Sequence, residues 1–189
     1  GEDATGRLIL EEVFAEDPYN VQAYNMLEVL DTLDGFETVK NADFHIRLPA
    51  LEAAVMRGEL LALLGEALAR YEREYDTAVQ RPVFVQLFDN HDDFMVRSVG
   101  LPGNAGHLGI CFGNLVTLDS PRAREPRSMN WRSVLWHEFV HVITLQKTGN
   151  RIPRWLSEGI SVHEERQKDP AWGQPLAPEF RPILTPGEW

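Results

Sequence analysis

A single cysteine, Cys111, occurs in 189 residues, so an internal disulfide is impossible and a thiolate-rich metal site is excluded. Long apolar runs are missing as well. The richest stretch, Leu60-Leu61-Ala62-Leu63-Leu64, ends in Gly65-Glu66, far short of the roughly 20 residues a membrane span needs. Positive charge is scarce: 18 Lys and Arg stand against 29 Asp and Glu, a formal charge of −11. Nucleic acid is therefore not an expected partner, because phosphate binding needs a concentrated positive face. The one basic cluster, Arg122, Arg124, Arg127 and Arg132, is diluted by Asp119 and Glu125 and reads as a solvated loop. No leader peptide is visible. A chain that opens at Gly1 without Met reads as an excised domain, which leaves the compartment open.

The composition is that of a globular domain, with 43% hydrophobic and 25% charged residues, and the length suits one core plus a short helical appendage. Residues 7–33 predict two short helices, with Leu8, Ile9, Leu10, Val13 and Phe14 on one face and Val21, Ala23, Tyr24, Leu27 and Leu30 on the next, broken at Asp17-Pro18. The junction Asp17-Pro18-Tyr19-Asn20, followed by Ala23 and Leu27, resembles that between tetratricopeptide repeats. The end of such an array and a generic helical pair both remain open for segment 1–35, which is a candidate surface for a protein partner.

A hairpin is expected from Phe36–Val39 and Phe44–Leu48, then a long helix over Leu51–Tyr75 and a strand over Val83–Phe88. A short helix capped by His91 or Asp92 follows. Two strands, Leu108–Phe112 and Leu115–Leu118, and two helices, about 130–147 and 153–167, complete the ordered part. Beyond Asp169 five prolines mark a linker or extended tail over 169–189.

The chemistry lies in Val134-Leu135-Trp136-His137-Glu138-Phe139-Val140-His141-Val142-Ile143. Seven of these ten residues are large and apolar and surround the helix, so it should be buried. Burying His137, Glu138 and His141 without partners costs several kcal/mol. One divalent cation removes that cost by turning both imidazoles into ligands. Residues four apart stack on one helix face, so two imidazoles converge on one ion, with Glu138 on the flank as a base rather than a ligand.

A catalytic zinc site takes a third protein ligand. The helix runs about 9 Å past His141 before Gly149-Asn150 stop it, and Glu158 lies about 8 Å into the next helix. An antiparallel pair therefore returns Glu158 to the histidines. The position six residues after His141 is Lys147, which rules out a third histidine there. His163 and Glu165 lie later and read as facing solvent or supporting the ligands from behind.

His137-Glu138-Phe139-Val140-His141 followed by Trp155-Leu156-Ser157-Glu158-Gly159 resembles the gluzincin zinc metallopeptidases, which include thermolysin. It is most similar to bacterial peptidase domains found beside tetratricopeptide repeats. The resemblance implies an α+β, zincin-like domain over 36–168, with a small mixed or antiparallel sheet packed on an active-site helix pair. It implies one Zn2+ held by His137, His141 and Glu158, with Glu138 as general base hydrolysing a protein or peptide substrate.

It further implies an edge strand on which the substrate lies, here Gly109, Ile110, Cys111 and Gly113, with the glycines letting another backbone approach. An ordinary hairpin turning at Gly113-Asn114 fits the same residues. No acidic residue lies between Gly106 and Leu118, which favours endopeptidase over aminopeptidase action. Gluzincins also supply a tyrosine or histidine to the oxyanion. No tyrosine follows Tyr75, leaving His163 as the candidate, with Arg154 and Arg166 nearby, and the supporting acid expected at position 162 is a valine. These departures keep a second reading open: a metal-bound but weak or inert module that binds peptides or protein partners.

Overall fold

The structure is a computed structural model that describes residues 2–124 and 129–172. Most of the expected proline-rich tail, from residue 173 on, lies outside the described residues. In chain order the elements are α1 (Glu2–Glu16), α2 (Val21–Asp34), β1 (Phe36–Lys40), β2 (Phe44–Pro49), α3 (Ala50–Glu74), β3 (Val83–Phe88), α4 (His91–Val99), β4 (Gly109–Phe112), β5 (Leu115–Asp119), α5 (Trp131–Thr148) and α6 (Arg154–Lys168). This is an α+β fold.

The five strands form one mixed sheet in the order β1-β2-β3-β5-β4. The outer pairs, β1 with β2 and β4 with β5, are antiparallel, and the inner pairs are parallel. Alternation along a strand sends successive side chains to opposite faces, and the sheet uses both. Val83, Val85 and Leu87 of β3 join Phe44, Ile46 and Leu48 of β2 in a core with Leu60, Leu64 and Tyr71 of α3 and Leu135, Trp136, Phe139 and Ile143 of α5. Phe88 turns the other way, into a smaller cluster with Val29, Leu30 and Leu33 of α2 and Phe94, Met95 and Val96 of α4. α5 is thus the helix buried against the sheet, and α6 packs on α5.

The N-terminal pair covers the second face. Asn20 caps α2 by accepting from the Ala23 amide at 3.0 Å, which makes Asp17–Asn20 a tight helix-to-helix junction. Asp3 of α1 pairs with Arg47 on β2 and Arg97 on α4. The cap of α4 differs from expectation. Asn90 accepts from the amides of Asp92 (2.8 Å) and Asp93 (3.3 Å), which frees the His91 ring for a contact described below. Among the described residues no helix is long and apolar enough to cross a membrane.

Candidate metal centre

Two helix ends fix the centre. Asn130 caps α5 through the amides of Arg132 and Ser133, and Gly149 closes it at φ +57°, a left-handed conformation that glycine adopts without strain. Pro153 then starts α6, so the two helices run antiparallel and Glu158 comes back beside the histidines.

The three expected ligand atoms form a small triangle. His137 Nε2 lies 3.1 Å from Glu158 Oε2 and 3.2 Å from His141 Nε2, and His141 Nε2 lies 3.5 Å from Glu158 Oε2. A tetrahedral ion with bonds of about 2.0–2.1 Å has ligand-to-ligand edges of about 3.3–3.4 Å, so the triangle has the size of one tetrahedral face. Among the described residues, His137, His141 and Glu158 are the only group of three or more that could hold a metal.

The other ring nitrogens are committed elsewhere, which sets the tautomers. His137 Nδ1 donates to the Glu165 carboxylate, which can only accept. His141 Nδ1 lies 2.7 Å from Ser157 Oγ, Ser157 lies 3.0 Å from Thr144 Oγ1, and Thr144 donates to the His141 carbonyl. That chain ends on an acceptor, so the proton sits on Nδ1 of His141. Both Nε2 lone pairs therefore point into the triangle, as metal ligands require.

The surroundings of the triad are rich in carboxylates. Glu138, Glu158 and Glu165 surround two imidazoles. Burial alone would push the His137 pKa down, but the hydrogen bond and charge of Glu165, with Glu138 and Glu158, raise it. Burial and the neighbouring His137 lower that of His141. Burial works to raise the pKa of Glu158, yet His141 and His137 bring it below its ordinary value. Arg154 pairs with Glu158 at 3.4 Å, and the carboxylates gathered round the two imidazoles suit a divalent cation.

Glu138 is held apart from the triad. It is buried at 7% exposure, and burial, with the charges of Glu158 and Glu165, pushes its pKa up to about 7. Gly109 of β4 roofs it. A Cβ at 109 would stand 2.7 Å from Glu138 Cγ and 2.9 Å from Val134 Cγ1, closer than packed carbons sit. Gly109→Ala is therefore expected to displace the Glu138 side chain and to destabilise the fold by about 1–3 kcal/mol. Denaturant unfolding of the two proteins checks this.

The bare Cα of Gly109 thus makes room for Glu138 beneath the strand. Gly113, at φ +67°, serves the two-residue hairpin between Phe112 and Leu115. Ile110 packs toward the second-face cluster and Cys111 toward the main core, where burial pushes its thiol pKa up. β4 nevertheless ends the sheet. Asp119 N–H bonds Leu108 C=O, so by the alternation of an antiparallel ladder Gly109 and Cys111 turn their backbone groups to the outer edge.

His163 is exposed and stands five residues past Glu158, about 140° round α6, so it is not brought to the triad. Val162 likewise points outward at 38% exposure. The supporting acid is Glu165, seven residues past the ligand, where two helical turns restore the face. It holds His137 Nδ1 and accepts from Ser133 Oγ at 2.9 Å. The spacing from Glu158 to Glu165 was the sequence signal for it. Glu165→Ala is expected to weaken binding of a divalent metal at the triad by about 10–100-fold, read by competition with a chromophoric chelator.

Two further polar clusters brace the centre. Glu164 accepts from Tyr75 Oη (2.8 Å) and Arg70 Nη2 (3.0 Å), clamping α6 to α3. Asp119, fully buried, lies 2.9 Å from His91 Nδ1 and accepts from Arg124 Nε at 2.6 Å, while Arg124 Nη2 donates to the His107 carbonyl at 3.0 Å. Arg124 is thus no solvated loop charge: it pins the segment that leads into β4. Arg132 is paired with Glu59, and Arg127 lies outside the described residues.

The chain matches no protein-family model, no curated protein and no solved structure. The functional reading therefore rests on the centre's own geometry.

Proposed function

We propose that this chain is a zinc-dependent peptidase domain of the gluzincin type, cutting peptide bonds within polypeptides. The observation that carries the proposal is the His137–His141–Glu158 triangle with a separate buried carboxylate, Glu138, beside it. A structural zinc site has no use for that carboxylate. A catalytic one needs it, because zinc supplies a Lewis acid and lowers the pKa of a water bound to it.

Glu138, with a pKa near neutrality in the metal-free protein, is suited to accept a proton from the attacking water and return it to the departing amine. The edge of β4 offers backbone groups at Gly109 and Cys111 to an extended substrate. The mixed sheet, the long α3 and the α5–α6 pair support a zincin-like domain. The absence of an acidic residue from β4 supports internal cleavage, since nothing there would hold a free amino terminus. Exposed Leu8, Ile9, Tyr19, Val21 and Tyr24 support reading α1 and α2 as a surface for a protein partner.

One observation favours a second reading, a metal-bound module that binds peptides without cutting them. Tyr71 is buried in the core and Tyr75 is engaged with Glu164, while His163 is exposed, so none of these supplies an oxyanion donor. Digestion of a diverse peptide library by the zinc-loaded protein, read by mass spectrometry, separates the two readings. Cleavage abolished by chelation and restored by zinc supports the peptidase. Intact peptides with one zinc per chain favour the binding module.

A further inference from the structure

Away from the triad, a cavity of about 530 Å³ opens where the loop between α3 and β3, the β4–β5 hairpin and the C-terminal end of α5 meet. That volume is in the range of small-molecule sites. The cavity shares no residue with the triad or with Glu138. Phe112 on its wall stands three residues along β4 from Gly109, about 10 Å away.

The walls are fixed before any ligand arrives. Gln146 Oε1 accepts from the Gln80 amide at 2.7 Å and Glu72 Oε1 from the Val79 amide at 2.9 Å, which ties the loop to α5 and α3. The Phe84 amide donates to the Asn114 carbonyl at 2.8 Å, which ties the hairpin to β3. A Cβ built at Gly113 or Gly149 would meet nothing within 4 Å, so both turns leave their side open. Preformed walls spare a ligand the cost of ordering them.

The lining decides the chemistry. Gln80, Asn114, Gln146 and Asn150 bring carboxamides, Thr77 brings a hydroxyl, and among the described residues no charged side chain takes part. Two charges that flank the loop face other partners. Glu72 also accepts from Arg81 Nη2 at 2.7 Å, and Lys147 Nζ donates to the Tyr75 carbonyl at 2.7 Å. An ionic ligand would lose hydration here without a counter-charge, and a wholly apolar one would strip water from the amides without replacing its hydrogen bonds. A neutral ligand that both donates and accepts meets neither cost, because a carboxamide offers an oxygen and an NH2 group side by side. Phe112, 47% exposed, adds a flat apolar surface. A pyranose ring matches both, with hydroxyls round its rim and faces of C–H groups that pack on an aromatic ring.

We propose that this cavity binds a neutral saccharide unit, seated on Phe112 with its hydroxyls bonded to the carboxamides of Gln80, Asn114 and Asn150. The site stands independently of the metal and of the peptidase reading.

The test titrates the 15N-labelled chain with the methyl glycosides of glucose, galactose, mannose, N-acetylglucosamine and xylose, following amide shifts. Acetyl-Gly-Gly methylamide is the neutral peptide control. At least one glycoside is expected to bind with a Kd of about 1 mM, equally with zinc and with chelator, and to shift the amides of residues 77–80, 112–114 and 149–150. Phe112→Ala should weaken that binding by about 3–10-fold, and Phe112→Tyr should keep it. Gln80→Ala, which leaves the backbone bond to Gln146 in place, should also weaken it by about 3–10-fold. If no glycoside binds, if the shifts fall on other residues, or if both alanine variants bind as wild type does, the site is overturned. If the peptide control binds at the same residues as tightly as the best glycoside, the saccharide assignment is overturned.

Discussion

Glu138→Gln is expected to lower turnover on peptides by about 10²–10⁴-fold while the chain keeps one zinc ion. The candidate ligand atoms are those of His137, His141 and Glu158, so on this reading metal binding does not need the Glu138 carboxylate. Glutamine preserves its volume beneath Gly109, where the fit is too tight for a larger change, but removes the basic oxygen. The loss should fall on kcat rather than KM, because the proton moves only as the reaction proceeds. Metal analysis and steady-state kinetics on the same preparations check it. A variant that retains zinc and also retains turnover would remove Glu138 from the chemistry.

The same residue should govern how the metal-free protein responds to pH. Its carboxyl has an ordinary pKa of 4.5, which the fold raises to about 7, with burial as the largest cause. A raised carboxyl pKa means the folded state holds the proton more tightly than the unfolded chain. Glu138 therefore does not weaken the fold below pH 4.5, and it weakens it progressively as pH rises through 7. The full cost is roughly 3 kcal/mol. His137 offsets part of this, since the charge on Glu138 raises its pKa. In chelated protein, Tm of Glu138→Gln minus Tm of wild type should grow by roughly 5–10 °C between pH 5 and pH 8.5. Zinc should erase most of that growth, because a cation at the triad favours the ionised carboxylate. Calorimetric melts of both proteins, with and without zinc, measure the difference. Parallel pH profiles in the chelated proteins would mean that Glu138 is not buried as described.

The part of this centre that was legible in the sequence is the part set by helical geometry. The i, i+4 pair His137 and His141, the stop at Gly149-Asn150 and the return to Glu158 all follow from rise and turn per residue. The hairpins and the long α3 were readable because their apolar patterns are regular. What escaped reading depends on which elements meet. Arg124 looks like one more surface arginine until β5 brings Asp119 beside it. Gly109 reads as a point of backbone approach, and only the packing of α5 shows that its missing Cβ also makes room for Glu138. His163 has the right chemistry for an oxyanion donor, yet its place on α6 turns it to solvent. Glu165 could be foreseen only as a supporting group, because its contact with His137 needs the two helices at their actual spacing.

The most direct test of the metal centre is zinc-edge X-ray absorption combined with metal analysis on wild type and His141→Ala. One ion per chain, bound by two imidazoles and a carboxylate at about 2.0–2.1 Å, with occupancy lost in His141→Ala, is the predicted result. Wild type that binds no zinc, or zinc that His141→Ala retains with an unchanged spectrum, would contradict the account.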